Sequence, residues 1–128
     1  MSRGNVELVQ RALTARRSEF EEVLDPEVRL DLSERVFNPA VYKGYEGIMR
    51  WREEVGDVWE FYRTEPEQFL DGDDVVVVLA RERARGKGSG VEVDRATALL
   101  YRLSAGRVSE IRLYSDPARA LSDAGLAQ

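Results

Sequence analysis

Hydrophobic and polar positions switch period several times along the chain, and each switch predicts an element. Val6, Val9 and Leu13 recur at helical spacing with Leu8 and Ala12 beside them, and Asn5 is placed to cap a first helix that ends near Arg16-Arg17. Ser18 caps a short second helix over 19–24 with Phe20, Val23 and Leu24 turned inward, and Asp25-Pro26 stops it. Residues 28–32 alternate as a half-buried strand, with Asp31 on the face opposite Val28, Leu30 and Leu32. A loop over 33–43 leads to the strongest helix, 45 to about 58, whose stripe is Ile48, Trp51, Val55 and Trp59. Residues 60–70 read as an extended strand that Pro66 confines to a sheet edge or a bulge. Three consecutive antiparallel strands follow, 75–85, 91–103 and 107–114, joined by glycine-bearing turns at 86–90 and 104–106. Ser115-Asp116-Pro117 starts a last short helix, and Gly125 ends it.

Charge fixes the register of the first hairpin. With Gly86 facing Val91, Arg85 lies opposite Glu92, Arg83 opposite Asp94 and Glu82 opposite Arg95, whereas a one-residue slip sets Glu82 against Asp94. Continuing with Leu103 opposite Val108 sorts the side chains into two faces. Val75, Val77, Leu79, Ala96, Ala98, Leu100, Ile111 and Leu113 make a wholly apolar face with small residues at its centre. Val76, Val78, Ala80, Thr97, Leu99, Tyr101, Glu110, Arg112 and Tyr114 make a mixed one. A strand of the length of 91–103 extends roughly 40 Å at about 3.3 Å per residue, too far to stay flat over a small core. The sheet is therefore expected to curl around its apolar face, with the 45–58 helix across it and a cavity above Ala96 and Ala98. The mixed face is expected to be covered by a second copy, giving a homodimer through the convex side of the sheet.

Composition narrows the chemistry. The 128 residues suit one domain, 1–128, and a net charge of −5 argues against nucleic-acid and membrane partners. There is no histidine and no cysteine, which excludes disulfides, thiolate nucleophiles, histidine triads and histidine-held zinc or haem. Acid–base work falls to carboxylates, tyrosines, arginines or the two lysines, Lys43 and Lys87. No cofactor is expected. No apolar run is long enough to cross a bilayer and the first residues lack a signal-peptide core, so a cytoplasmic location is expected.

Gly86-Lys87-Gly88-Ser89-Gly90 has the glycines of a phosphate loop but lies between two strands, so it reads as a hairpin turn. Asp71-Gly72-Asp73-Asp74 lacks the further ligands of a calcium loop and reads as a turn. Arg81, Arg83 and Arg85 read as ion-pair partners of the facing acids rather than an anion site. Tyr42, Trp51, Val55, Trp59 and Tyr62, with Leu79, Ala96, Ala98, Leu100, Ile111 and Leu113 of the sheet, are the candidate ligand-binding residues. Asp31 is the candidate catalytic residue. Turned inward it would be a desolvated carboxylate with a raised pKa, and the alternative is an ion pair with Arg29 or Arg112.

Leu24-Asp25-Pro26, Val41-Tyr42-Lys43-Gly44-Tyr45-Glu46-Gly47, Gly72-Asp73-Asp74-Val75-Val76-Val77, Gly88-Ser89-Gly90-Val91 and Ala105-Gly106-Arg107-Val108 span nearly the whole chain. In this order they resemble the SnoaL-like, ketosteroid-isomerase-like branch of the nuclear transport factor 2-like superfamily. The resemblance implies an α+β fold, a cone-shaped curved antiparallel sheet wrapped around N-terminal helices (a cystatin-like α+β barrel), usually dimeric. It implies a hydrophobic pocket between helices and concave sheet, serving an isomerase, cyclase or hydrolase or simply holding an apolar ligand, the remaining alternative being a dimeric interaction module. Steroid isomerases of this branch use an aspartate base, a tyrosine and a protonated aspartate. An ungapped match puts the base at Asp31, and a match through Asn38-Pro39 puts it at Asn38, whose amide abstracts no proton. The second donor falls on Ala98 and the tyrosine near Ala12, so steroid isomerisation itself is not expected.

Overall fold

The computed structural model describes residues 2–35 and 39–126. Helix α1 (Ser2–Leu13) is followed by a 3-10 turn (Arg17–Glu19), α2 (Phe20–Val23), β1 (Leu24–Leu32), β2 (Ala40–Lys43) and α3 (Gly44–Val58). Strands β3 (Trp59–Asp71), β4 (Val75–Gly86), β5 (Glu92–Ser104) and β6 (Arg107–Tyr114) come next, and α4 (Pro117–Asp123) follows them. Asp25-Pro26 lies within β1 instead of merely ending the second helix, and residues 40–43 form a strand where a loop was expected.

The six strands make one curved, unclosed sheet in the order β2-β1-β6-β5-β4-β3. The expectation of a purely antiparallel sheet needs one correction: β1 runs parallel to β6, Leu30 beside Ile111 and Asp31 beside Arg112. Parallel neighbours require a long crossover, and everything from β2 to β5 supplies it. Pro66 sits on the edge strand β3, next to a register shift between Pro66 and Gln68, where its missing N–H leaves no central ladder bond unmade. At the other edge, α3 lies close on β2, since a Cβ at Gly47 would come within 3.2 Å of the Tyr42 Cβ.

The β4–β5 register is the one the charges specify, with Arg85 opposite Glu92, Arg83 opposite Asp94 and Glu82 opposite Arg95. The glycine-rich turn is a hairpin, closed by Gly86 N–H to the Val91 carbonyl at 2.8 Å. The β5–β6 pairing departs from expectation after its first step. Leu103 faces Val108, but Arg102 faces Glu110, so Ser109 is an extra residue on β6. Beyond this bulge Tyr101 pairs with Ile111 and Leu99 with Leu113.

That one residue exchanges the two expected faces of β4 and β5. The concave face carries Val76, Val78, Ala80, Leu99 and Tyr101 together with Leu113 and Ile111, packed with residues of α1, α2, β1 and α3. Leu79, Ala98 and Leu100 lie on the outer face with Val75, Val77 and Tyr114, where α4 and Leu126 cover them, and Ala96 is exposed. The mixed face assigned to a partner copy is therefore interior, and the chain covers much of its outer apolar surface with its own last helix. Asp116 caps that helix by accepting from Ala118 N–H at 3.0 Å, and the Tyr114 hydroxyl donates to Asp123 at 2.6 Å. The rest of the outer face is charged: Arg81 pairs with Asp94 at 2.6 Å, Arg83 with Glu65 at 3.3 Å and Arg85 with Glu92 at 2.9 Å. No helix among the described residues is long and apolar enough to cross a membrane.

Candidate functional site

A cavity of about 440 Å³ lies between the concave sheet and helices α1 and α3. Its inner wall is apolar because alternate residues of four strands turn the same way: Leu30 and Leu32 of β1, Phe69 of β3, Leu99 of β5, and Ile111 and Leu113 of β6. Ala12, Ile48 and Trp51 close it from the helix side. Gln10 and Thr14, both exposed, mark its mouth at the end of α1. Arg52 stands on the wall, its guanidinium donating to the Ala15 carbonyl at 2.6 Å and lying over the Phe20 ring, and desolvation lowers its pKa.

Trp51 and Tyr62 also wall a side chamber of about 20 Å³, completed by Val55, Trp59, Ala84 and Val93. Glu82, only 3% exposed, lines this chamber. The Tyr62 hydroxyl donates to Glu82, and Arg95 Nε donates to its other oxygen at 2.6 Å. Burial, with the Glu82 charge second, pushes the Tyr62 phenol well above its ordinary range and keeps its proton in place. Two long strands deliver this cluster: Thr64 of β3 and Arg95 of β5 both face Glu82 across the ladder.

Of the residues singled out in the sequence, Trp51 and Tyr62 wall both spaces, Ile111 and Leu113 the main cavity, and Val55 and Trp59 the side chamber. Tyr42 is buried in the core and lines neither. Its hydroxyl donates to Glu54 and accepts from Arg35 at 2.9 Å, and burial, then Glu54, raises its pKa. Leu79, Ala96, Ala98 and Leu100 are turned away from the cavity by the Ser109 bulge. Asn38 lies outside the described residues.

Asp31 is buried, at 6% exposure, but on the outer side of β1, opposite the cavity-lining Leu30 and Leu32. It accepts from the Ser33 N–H at 3.0 Å and the Ser33 hydroxyl at 2.6 Å. Its other oxygen lies 3.8 Å from Arg29 and 4.0 Å from Arg112. Desolvation alone would raise its pKa, but the Ser33 hydrogen bonds and then the two arginines outweigh it, so the pKa is lowered. The expected raised pKa is thus reversed, and the carboxylate is held as an ion-pair partner. Among the described residues no cluster of three acids could hold a metal.

The inner-wall residues Leu99 and Tyr101, and the buried Glu82, are the functional candidates that pattern reading missed. A signal for them exists in the sequence. The odd positions of residues 75–85 run on into Arg81, Arg83 and Arg85, and a face carrying three successive arginines belongs outside.

No family model matches the chain, and no curated protein matches it. Solved structures do. An NTF2-like protein from Burkholderia xenovorans LB400 is similar over 97% of each chain, with a TM-score of 0.75 and 18% identity. A candidate SnoaL-like polyketide cyclase from Jannaschia sp. CCS1 is similar over 99% of this chain and 94% of its own, with a TM-score of 0.73 and 23% identity. A protein of ketosteroid isomerase-like fold from Catenulispora acidiphila, in complex with trimethylamine, covers 94% of this chain and 93% of its own, with a TM-score of 0.69 and 17% identity. The chain therefore has the NTF2-like, SnoaL-like cone fold that its sequence resembles.

Proposed function

We propose that this SnoaL-like cone binds an apolar small molecule in its main cavity and holds it without covalent chemistry. The makeup of the wall carries this reading. None of the described residues lining the cavity is Asp or Glu, and Arg52, their only cation, is committed to the Ala15 carbonyl. The Tyr62 hydroxyl is likewise committed to Glu82. What remains is largely hydrocarbon and aromatic surface, which favours apolar guests by about 25 cal/mol per Å² removed from water. The Catenulispora structure, with its bound trimethylamine, supports small-molecule binding by this fold.

A second reading, an isomerase, cyclase or hydrolase, is favoured by one observation. Glu82 is a buried carboxylate separated from the main cavity by the Tyr62 and Trp51 walls. It would serve as a base only after releasing Arg95 and Tyr62, which the binding reading does not need. Pairing of two copies across the outer sheet face also belongs to the proposal, resting now on charge: about a two-fold axis, the arginine–carboxylate ladder of Arg81, Arg83 and Arg85 is self-complementary.

Equilibrium dialysis against fluorene tests the binding reading. The wild-type chain is expected to take up the hydrocarbon, and Leu113→Trp, which fills the cavity from β6, to lose uptake while remaining folded. Equal uptake by both proteins, or none by wild type for fluorene and fluorenone alike, overturns it.

A further inference from the structure

We propose that the Tyr101 hydroxyl is the polar anchor of the cavity, a deep hydrogen-bond donor selecting ligands that carry a neutral acceptor, above all a carbonyl oxygen, at their buried end. This inference rests on the binding reading and adds the chemical class of the ligand to it.

The chain has five tyrosines. Four have a partner for the hydroxyl: Tyr42 donates to Glu54, Tyr45 to the Leu24 carbonyl, Tyr62 to Glu82 and Tyr114 to Asp123. Tyr101 is buried, at 3% exposure like Tyr42, and lines the cavity, yet its hydroxyl has no hydrogen-bond partner among the described residues. Buried phenols are normally paired, because an unmatched O–H gives up its hydration for nothing. Phenylalanine would fill the same space without that cost. The neighbours across the ladder, Val76 on β4 and Ile111 on β6, offer no side-chain acceptor, so the missing partner is to be sought in the cavity.

Two further features narrow the acceptor. Burial pushes the Tyr101 phenol well above its ordinary pKa, so the group is a donor at any working pH. Near it the wall is apolar, with Leu99 beside it on β5 and Leu113 one pair further along β6. An ionised carboxylate lodged there would be desolvated among hydrocarbon, the one cation among the described lining residues, Arg52, already donating to the Ala15 carbonyl, whereas a ketone, quinone or ester carbonyl would gain one hydrogen bond. The exposed Gln10 and Thr14 lie at the mouth, so the carbonyl end enters first.

The test compares fluorenone with fluorene, which share a ring frame and differ by the carbonyl. In equilibrium dialysis the wild-type chain is expected to prefer fluorenone, and Tyr101→Phe to lose three- to tenfold in fluorenone affinity while binding fluorene as before. Tyr114→Phe removes a phenol from the opposite face of the sheet and is expected to keep the wild-type ratio. Tyr101→Leu provides a second variant should Tyr101→Phe fold poorly, again with the preference lost. An unchanged fluorenone-to-fluorene ratio in the Tyr101 variants, with fluorene still bound, overturns the anchor and leaves the binding reading standing. Uptake of neither compound by the wild type overturns both.

Discussion

The Ser109 hydroxyl donates to the Arg102 carbonyl at 3.1 Å, across the step where β6 carries one residue more than β5. The bulge lets Val108 and Ile111, three apart, both face the concave side, while Glu110 turns out to meet Arg102 and Arg29. Deleting Ser109 would make the ladder continuous with Glu110 still opposite Arg102 and Ile111 still opposite Tyr101, so Ile111 and Leu113 keep the concave side. What the deletion removes is the local bend and extra twist that a bulge gives its strand. The deletion is therefore expected to keep a cooperative thermal transition. The milder Ser109→Ala should cost under about 1 kcal/mol, since its hydrogen bond is exposed. A deletion variant without a cooperative transition would show that the bend at the bulge is needed to close the sheet over its core.

Glu82 and Arg95 make a second prediction. Glu82→Gln leaves Arg95, about a quarter exposed, facing a neutral amide in a buried site. Breaking such a pair from one side costs several kcal/mol in a fully buried setting, and about 2–4 kcal/mol is expected here. Removing the whole cluster (Glu82→Met, Arg95→Met and Tyr62→Phe together) takes away the orphaned partners as well and is expected to cost less than the single change. Urea titrations of the variants check the order. A triple variant weaker than Glu82→Gln would mean that the cluster contributes net stability.

Much of the fold was legible because charge and turn chemistry act locally. Arg83, Arg85 and Glu82 fixed the β4–β5 register, Pro66 marked an edge strand, and Asp116-Pro117 placed the start of α4. The choice of face was not legible from periodicity. Val75 to Ala80 and Ala96 to Leu100 are apolar or small at nearly every position, as in strands covered on both sides, and no alternation distinguishes the faces of such a run. The decision was deferred to the β5–β6 register, where one bulged serine reversed it. A regular β5–β6 ladder would bring Ala98 and Leu100 to the cavity, whereas the bulge brings Leu99 and Tyr101. Asp31 misled for a different reason. Its alternation with Leu30 and Leu32 places it on the outer side, where a carboxylate meets Arg29 and Arg112 instead of the cavity.

Pairing of two copies is expected to depend on salt. Arg81, Arg83 and Arg85 are each between 39% and 51% exposed, and a joint built on such charges weakens as the screening length falls. Light scattering at roughly 0.05 M and 0.5 M salt should give a larger mass in the first, with Arg83→Glu abolishing the difference. A mass independent of salt, whether of one chain or two, would remove this ladder from the interface.

Asp31 yields a prediction whose sign follows from its surroundings. Its folded pKa is depressed by Ser33 and the two arginines below the unfolded value of about 3.9. A carboxylate of this kind adds stability that is fully present above the unfolded pKa and is lost as the pH falls through the lower, folded one. Asp31→Asn gives up the charge-assisted bond to the Ser33 hydroxyl and N–H, and about 2 kcal/mol is expected at neutral pH. For a chain of this length that corresponds to roughly 5–8 °C in Tm. The gap between wild type and variant should stay level from about pH 7 to 5 and narrow below about pH 4, where the aspartate itself takes up a proton. Because the side chain lies outside the cavity, fluorene uptake by the folded variant should match wild type at neutral pH. A gap that widens in acid would mean that the pKa is raised, as a general base would have it, and would return Asp31 to consideration as a catalytic group.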